Sequence, residues 1–216
     1  MAELIPVPDP GKTLWFGERG GDIVVVLHDW YGRMPSLEPF ATALASRGFR
    51  VAVPDLYDGV CTTDSATASR LMRELDVTTA LGLVDEAIVD ARADNPRARV
   101  GVVGFSMGGW LALQHAQAGA SDAVVAYYAS LHPNLHSVIP APVLLHWAES
   151  DDWREGEDPE SFVDRLKEHG TPTSQHTYLG TVHTFANASF REKLNAQAAA
   201  LAFARTAVFL ESHLHD

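Results

Sequence analysis

Residues 100–110 read VGVVGFSMGGW. An apolar run enters a serine boxed by glycines, and the reading of the fold turns on what Ser106 is. It is either a nucleophile held on a sharp turn or an ordinary residue at the start of a helix. The preceding RVGVVGF (99–105) reads as a strand buried on both faces. The following SMGGWLALQHA (106–116) reads as a helix that begins at once.

Working outward, DIVVVLHD (22–29) is another β-branched, apolar strand. In SLEPFATALASRG, residues Leu37, Phe40, Ala41, Leu44 and Ala45 share one helical face. Ser36 is placed to cap that helix, and Gly48 follows its end. FRVAVPD (49–55) is the next strand, stopped at Pro54. CTTDSATAS (61–69) reads as polar and turn-like, and a helix then carries Val77, Ala80, Leu81, Val84, Ile88 and Ala91 at three-and-four spacing. Strands are expected at AVVAYYA (123–129), VLLHWA (143–148) and SQHTYLG (174–180). The charged segment 149–169 contains a helix candidate, and the C-terminus reads as helical from about 189. Strands alternating with helices imply parallel βαβ units with both sheet faces covered, and one α/β domain over 1–216.

Composition narrows the function classes. With 46% hydrophobic and 20% charged residues, the 216-residue chain is ordinary globular material. A net charge of −12 argues against nucleic-acid partners and anionic membranes. Its longest apolar runs, IVVVL (23–27) and AAALAFA (198–204), are far short of a membrane span. The proline-broken start MAELIPVPDPGKTLW has no apolar h-region. A lone Cys61 excludes an intramolecular disulfide framework and fits a reducing compartment. A soluble cytoplasmic protein is expected, a monomer or small homo-oligomer.

Gly104-Phe-Ser-Met-Gly108 matches G-x-S-x-G, a weak signal alone. A strand immediately before and a helix immediately after make it the pattern of a nucleophile elbow, with Gly108 and Gly109 adding room for close packing. The competing reading is a glycine-rich turn without chemistry. A serine hydroxyl needs a histidine to take its proton and a carboxylate to orient that histidine. In chain order the acid and then the histidine should follow the serine. Asp151 and Asp152 both follow VLLHWAES, so the acid has two adjacent candidates, with Glu149 next in line. His183 follows HTYLGTV, just before the C-terminal helical segment. Backbone N–H groups of Met107 and Trp30 are the candidate oxyanion donors. Asp29, Tyr31, Trp110 and Trp147 are candidate substrate-contacting residues, and Tyr127, Tyr128 and Trp153 also lie near strand ends.

The remaining histidines weigh less. His28 ends a strand and reads as a packing or hydrogen-bonding residue, His115 lies within the helix, and His213 and His215 are in the tail. His132 and His136 are four apart, but the Pro133-Asn134 between them opposes a helical metal pair. Cys61 sits in a polar run with no strand leading into it and reads as a spectator. No metal or cofactor is expected.

With these pieces in place, the chain resembles the dienelactone hydrolase family of α/β-hydrolases nearly end to end. VVVLHDWYG (24–32) is similar to that family's His-Glu-Trp-Trp-Gly segment, GFRVAVPDLYDG (48–59) to its strand-to-loop signature, GFSMGG to its elbow and HTFAN (183–187) to its His-x-Phe-Ala ending. The resemblance implies a mostly parallel sheet of eight strands or slightly fewer, and cofactor-free hydrolysis of esters or lactones. It also favours Asp151 over Asp152, since AESD aligns with the family's Gly-x-x-Asp turn.

Three departures bear on substrate. Ser106 stands where well-known members have cysteine, and Asp29 where they have glutamate. The positions of two carboxylate-gripping arginines carry Asp58–Gly59 and Asn187, leaving Arg33, Arg70 or Arg73 as possible substitutes. A small neutral ester or lactone is the substrate this implies. The short segment SLHPNLHSVIPAP (130–142) leaves no room for the helical lid of many lipases. Two other readings keep the same scaffold. An acyltransferase or thioesterase would favour a thiol or amine acceptor over water, and a non-catalytic binder would not react with a fluorophosphonate.

Overall fold

A computed structural model describes residues 4, 5, 7–153 and 158–215. The readings made above for 1–3, for Pro6 and for 154–157 of the charged segment lie outside the described residues. In chain order the strands are β1 (Leu4–Ile5), β2 (Leu14–Phe16), β3 (Ile23–Leu27), β4 (Arg50–Val53), β5 (Cys61–Thr62), β6 (Val100–Phe105), β7 (Ala123–Tyr127), β8 (Val143–Ser150) and β9 (Thr173–Val182). The helices are α1 (Glu38–Ala45), α2 (Ser65–Glu74), α3 (Val77–Arg92), α4 (Met107–Ala116), α5 (Pro159–Glu168) and α6 (Ala196–Leu214).

The main sheet has seven strands in the order β2-β4-β3-β6-β7-β8-β9. β2 runs antiparallel to β4 and every other pairing is parallel. Seven strands fall within the expected eight or slightly fewer. β1 instead pairs with β5 in a separate two-stranded sheet.

All five residues of β3 are fully buried because they face two cores in alternation. Ile23, Val25 and Leu27 face the core that also holds Val84 and Ile88 of α3 and Leu111 of α4. Val24 and Val26 pack with Leu44 of α1 and with Ala202 and Leu210 of α6. This double burial is why the central strands read as unbroken apolar runs. No helix among the described residues is long and apolar enough to cross a membrane.

Two helix readings need correction. Residues 65–74 form α2, although 61–69 reads as turn-like; Asp64 accepts from Thr67 N at 2.8 Å and so caps it. The same device recurs at α3, where Asp76 accepts from Thr79 N at 2.7 Å. The C-terminal helix begins at Ala196 rather than near 189, with Asn195 capping Ala198 N. Before it the chain turns repeatedly, and Asn195 N closes back on Phe185 O at 3.0 Å.

Along the sheet, β3 and β6 are neighbours in register Leu27↔Gly104. The chain leaves β3 towards β4 on one side and returns through β6 on the other. The loop after β3 and the turn after β6 thus open side by side at the carboxyl ends of the strands, where open α/β sheets bind ligands.

Candidate active site

Ser106 occupies the one-residue turn between β6 and α4, with φ 52° and ψ −115°. A positive φ on a residue with a Cβ is strained, at a cost of order 1–3 kcal/mol. The flanking glycines make the turn possible. A Cβ at Gly104 would run into the carbonyl of Gly108, and one at Gly108 into the carbonyls of Leu27 and His28. A Cβ at Gly109 would lie 2.8 Å from that of Ala129. The backbone of Ser106 is held by its N–H donating to Tyr127 O at 2.9 Å and by its carbonyl accepting from Trp110 N at 2.9 Å.

Ser106 Oγ lies 2.7 Å from His183 Nε2. His183 Nδ1 lies 2.8 Å from both carboxylate oxygens of Asp151. Asp151 follows directly on β8, and its side chain is 2% exposed. Its Oδ1 also accepts from Trp153 N at 3.0 Å, which fixes the carboxylate against the loop. His183 sits in a turn after β9 that Phe185 pins into the core, between Tyr128 and Tyr178. Asp152 is exposed, so the adjacent-aspartate ambiguity resolves geometrically to Asp151 as the partner of His183. Glu149 points elsewhere and accepts from Gly180 N at 2.7 Å.

Ser106, Met107, Asp151 and His183 open on a cavity of about 430 Å³. Trp110, Trp147, Trp153 and Tyr128 line it, with Met72, Leu75 and Val77 forming the facing wall. The connection from β7 to β8 carries only a single 3-10 turn, Pro133–Leu135. No acceptor among the described residues takes the backbone N–H of Met107 or of Trp30. Trp30 reaches the cavity through its edge contact with Trp153, ring centroids 4.4 Å apart.

Two of the expected substrate contacts are placed otherwise. Asp29, 4% exposed, lines a small separate cavity behind the site with His28, Tyr128 and Asn187. Its carboxylate accepts from Tyr31 N at 2.9 Å and from Asn187 Nδ2 at 2.8 Å, tying the loop after β3 to the turn that carries His183. Burial pushes its carboxyl up to about 6. Tyr31 is 2% exposed and packs on Phe190 and Trp30. Both residues turn inward because the left-handed Gly32 (φ 93°) folds the loop back over β5, where a Cβ would strike Val60 and Cys61. Tyr127 is likewise interior, its hydroxyl 2.8 Å from Thr206 Oγ1.

None of the three spare arginines lines the cavity. Arg33 is buried and spends its guanidinium on the carbonyls of Pro8, Asp9, Lys12 and Val53, beside Asp55 at 3.7 Å. Arg70 pairs with Glu74 on the exposed face of α2, and Arg73 donates to Ser69 O. Met72 and Leu75 escape the sequence reading because α2 itself does, and Val77 is read there only as an apolar position of α3. The signals that mark α2 are the two Asp-x-x-Thr caps at 64 and 76, with the apolar spacing of Leu71, Met72 and Leu75 between them.

A family model described as "Dienelactone hydrolase family" matches residues 18–214. A carboxymethylenebutenolidase of Rhodococcus opacus is 29% identical over 209 residues, 90% of this chain and 82% of that one. A protein of Bradyrhizobium sp. described as a probable 2-oxo-3-(5-oxofuran-2-ylidene)propanoate lactonase is 27% identical over 208 residues, 88% of this chain and 84% of that one. Among solved structures, a dienelactone hydrolase-like promiscuous phosphotriesterase from metagenomic libraries superposes with a TM-score of 0.75 at 20% identity. That superposition covers 91% of this chain and 88% of the other.

Proposed function

The chain belongs to the dienelactone hydrolase family, and on that premise we propose that it hydrolyses small neutral carboxylic esters or lactones through an acyl-enzyme on Ser106. The observation that carries this reading is the unbroken hydrogen-bond chain from Ser106 Oγ through His183 to Asp151, at 2.7 and 2.8 Å, at the mouth of an apolar cavity.

His183 Nε2 takes the Oγ proton as Ser106 attacks the substrate carbonyl, while Asp151 holds the Nδ1–H tautomer and stabilises the imidazolium. The negative charge that develops on the carbonyl oxygen meets the N–H groups of Met107 and Trp30. Met107 N–H is the first of α4 and carries the positive end of the helix dipole. Collapse of the tetrahedral intermediate expels the alkoxide, which leaves with the proton from His183. A water molecule, deprotonated by the same imidazole, then releases the acid and regenerates Ser106.

The preference for neutral substrates rests on the walls. The described lining residues include no lysine or arginine, and the carboxylate of Asp151 is close by. A substrate carboxylate desolvated there would lack a partner, at a cost of several kcal/mol. The test is to label the protein with a fluorophosphonate and then compare a lactone carboxylate with its methyl ester. Stoichiometric labelling, with the methyl ester favoured at least ~100-fold in kcat/KM, is expected. Equal rates on the two substrates would refute the neutral-substrate reading, and a protein inert to the label would refute the hydrolase.

A further inference from the structure

Leu75 separates two apolar spaces. On one side is the cavity that holds Ser106 and His183. On the other is a groove of about 230 Å³ between α2 and α3, walled by Leu56, Tyr57, Leu71, Ala80 and Leu83. Leu75 is the residue common to both linings. The helices dictate this arrangement. α2 ends at Glu74, Leu75 after it is extended (φ −63°, ψ 121°), and Asp76 is extended again as the cap of α3. A half-buried leucine on a two-residue connection is therefore the partition between the reaction cavity and the groove. The groove also carries the exposed carboxylates Glu74 and Asp76.

We propose that Leu75 sets the chain length the enzyme accepts by closing the reaction cavity off from the α2–α3 groove, an apolar space shaped to take the far end of an unbranched alkyl chain on the ester once that side chain is shortened. The proposal rests on the hydrolase reading given above. The walls of the two spaces are continuous through one side chain, so a chain that outgrows the first cavity meets Leu75 and, beyond it, further aliphatic surface. Glu74 and Asp76 disfavour a chain ending in a carboxylate, so the occupant ends in a methyl group. With Leu75 in the position seen here, long chains are turned back. With that side chain shortened, the groove joins the cavity.

The test uses two ester series with wild type, Leu75→Ala and Leu75→Val. One series lengthens the acyl chain from acetate to decanoate as p-nitrophenyl esters, and the other lengthens the alcohol from methyl to decyl acetate. Each variant's thermal melt is recorded, and Leu75→Val carries the comparison if Leu75→Ala does not fold. For Leu75→Ala, the ratio of kcat/KM for the longest ester to that for the shortest is expected to rise about tenfold, through KM. That is the gain from burying roughly two further methylenes. A shift confined to the acyl series assigns the groove to the acyl chain, and one confined to the alcohol series assigns it to the leaving group. Chain-length profiles that superimpose on wild type in both series would overturn the proposal.

Failure of the hydrolase reading is separable from failure of this one. Binding of hexanol and decanol to Ser106→Ala protein, with and without Leu75→Ala, is followed by the fluorescence of Trp110, Trp147 and Trp153. A decanol affinity that rises about tenfold relative to hexanol supports the subsite even if no ester is cleaved. An unchanged ratio overturns it.

Discussion

Among the described residues two Ser–His–Asp trios are hydrogen-bonded, Ser106–His183–Asp151 and Ser121–His115–Asp85. Their distances barely distinguish them. In the second, His115 Nδ1 lies 3.1 Å from Ser121 Oγ and His115 Nε2 lies 2.9 Å from Asp85 Oδ1. Their settings do. Ser106 sits on a strained turn and opens on a cavity, with its aspartate 2% exposed. Ser121 is buried at 7% and lies outside that cavity, while the Asp85 side chain is 63% exposed. The second trio ties α3 and α4 to the loop before β7. Residue types and hydrogen bonds therefore do not by themselves single out the proposed nucleophile. What sets the Ser106 trio apart is a reachable hydroxyl beside spare N–H donors, with a dry carboxylate behind the histidine, the setting that the proposed chemistry requires.

The contrast also appears in what each region costs the fold. The second trio satisfies its own polar atoms. Around the first, Ser106 is held at positive φ, Asp29 is buried with its carboxyl raised, and the Tyr128 hydroxyl is buried without a hydrogen-bond partner among the described residues. Tyr128 itself has φ 41°. Such costs persist where the surrounding packing over-determines them, and here they cluster beneath the proposed reaction centre.

Removing the serines gives the sharpest test of the comparison. Ser106→Ala should lower kcat on a short p-nitrophenyl ester by about 10⁶-fold, whereas Ser121→Ala should leave the rate within about twofold. Comparable losses from both would erase the distinction. The acids come next. Asp151→Asn should cost about 10⁴-fold in kcat by upsetting the tautomer of His183, against no measurable change for Asp152→Asn or Asp85→Asn.

A smaller effect concerns stability against pH. In the folded chain Asp29 keeps its proton up to about 6, against an ordinary value of 3.8, because it is buried. The folded state binds more protons than the unfolded state between those values, so this group's contribution to stability falls as pH rises through that window. Neighbouring His28, whose imidazole burial pushes down to about 4, has the opposite sign: its contribution is lost as pH falls from its ordinary 6.5. The two offset each other in the native protein. In Asp29→Asn only the histidine remains. Urea titrations between about pH 4 and 7 should therefore show the variant gaining about 3 kcal/mol relative to wild type. A pH-independent difference would mean that Asp29 is ionised throughout. The smallest effect returns to the second trio: His115→Ala should lower unfolding free energy by about 2 kcal/mol while kcat holds. A loss of activity beyond the loss of folded protein would make that trio more than a clamp.

The proposed centre was readable from sequence in proportion to how local its causes are. The elbow leaves a local mark, since Gly104, Gly108 and Gly109 are small where backbone atoms of β3, α4 and β7 and the Cβ of Ala129 approach. The facing wall was not readable in the same way. α2 buries only Ala68 completely, so it lacks a strong apolar stripe and announces itself mainly through its capping aspartates. Asp29 and Tyr31 follow a catalytic-looking strand end, yet Gly32 reverses the chain and sends both side chains inward.

The alternating architecture, the serine turn and the order of the candidate serine, acid and histidine are legible in the chain alone, because double burial and close glycine packing leave periodic and compositional marks. Folding is needed to see that Asp151 rather than Asp152 meets His183, that Arg33 is spent on backbone carbonyls and that Leu75 lies between two cavities. Those outcomes depend on which way a side chain leaves the end of a strand or helix. That direction is set by residues far away in the chain, such as Asn187 for Asp29 and His183 for Asp151.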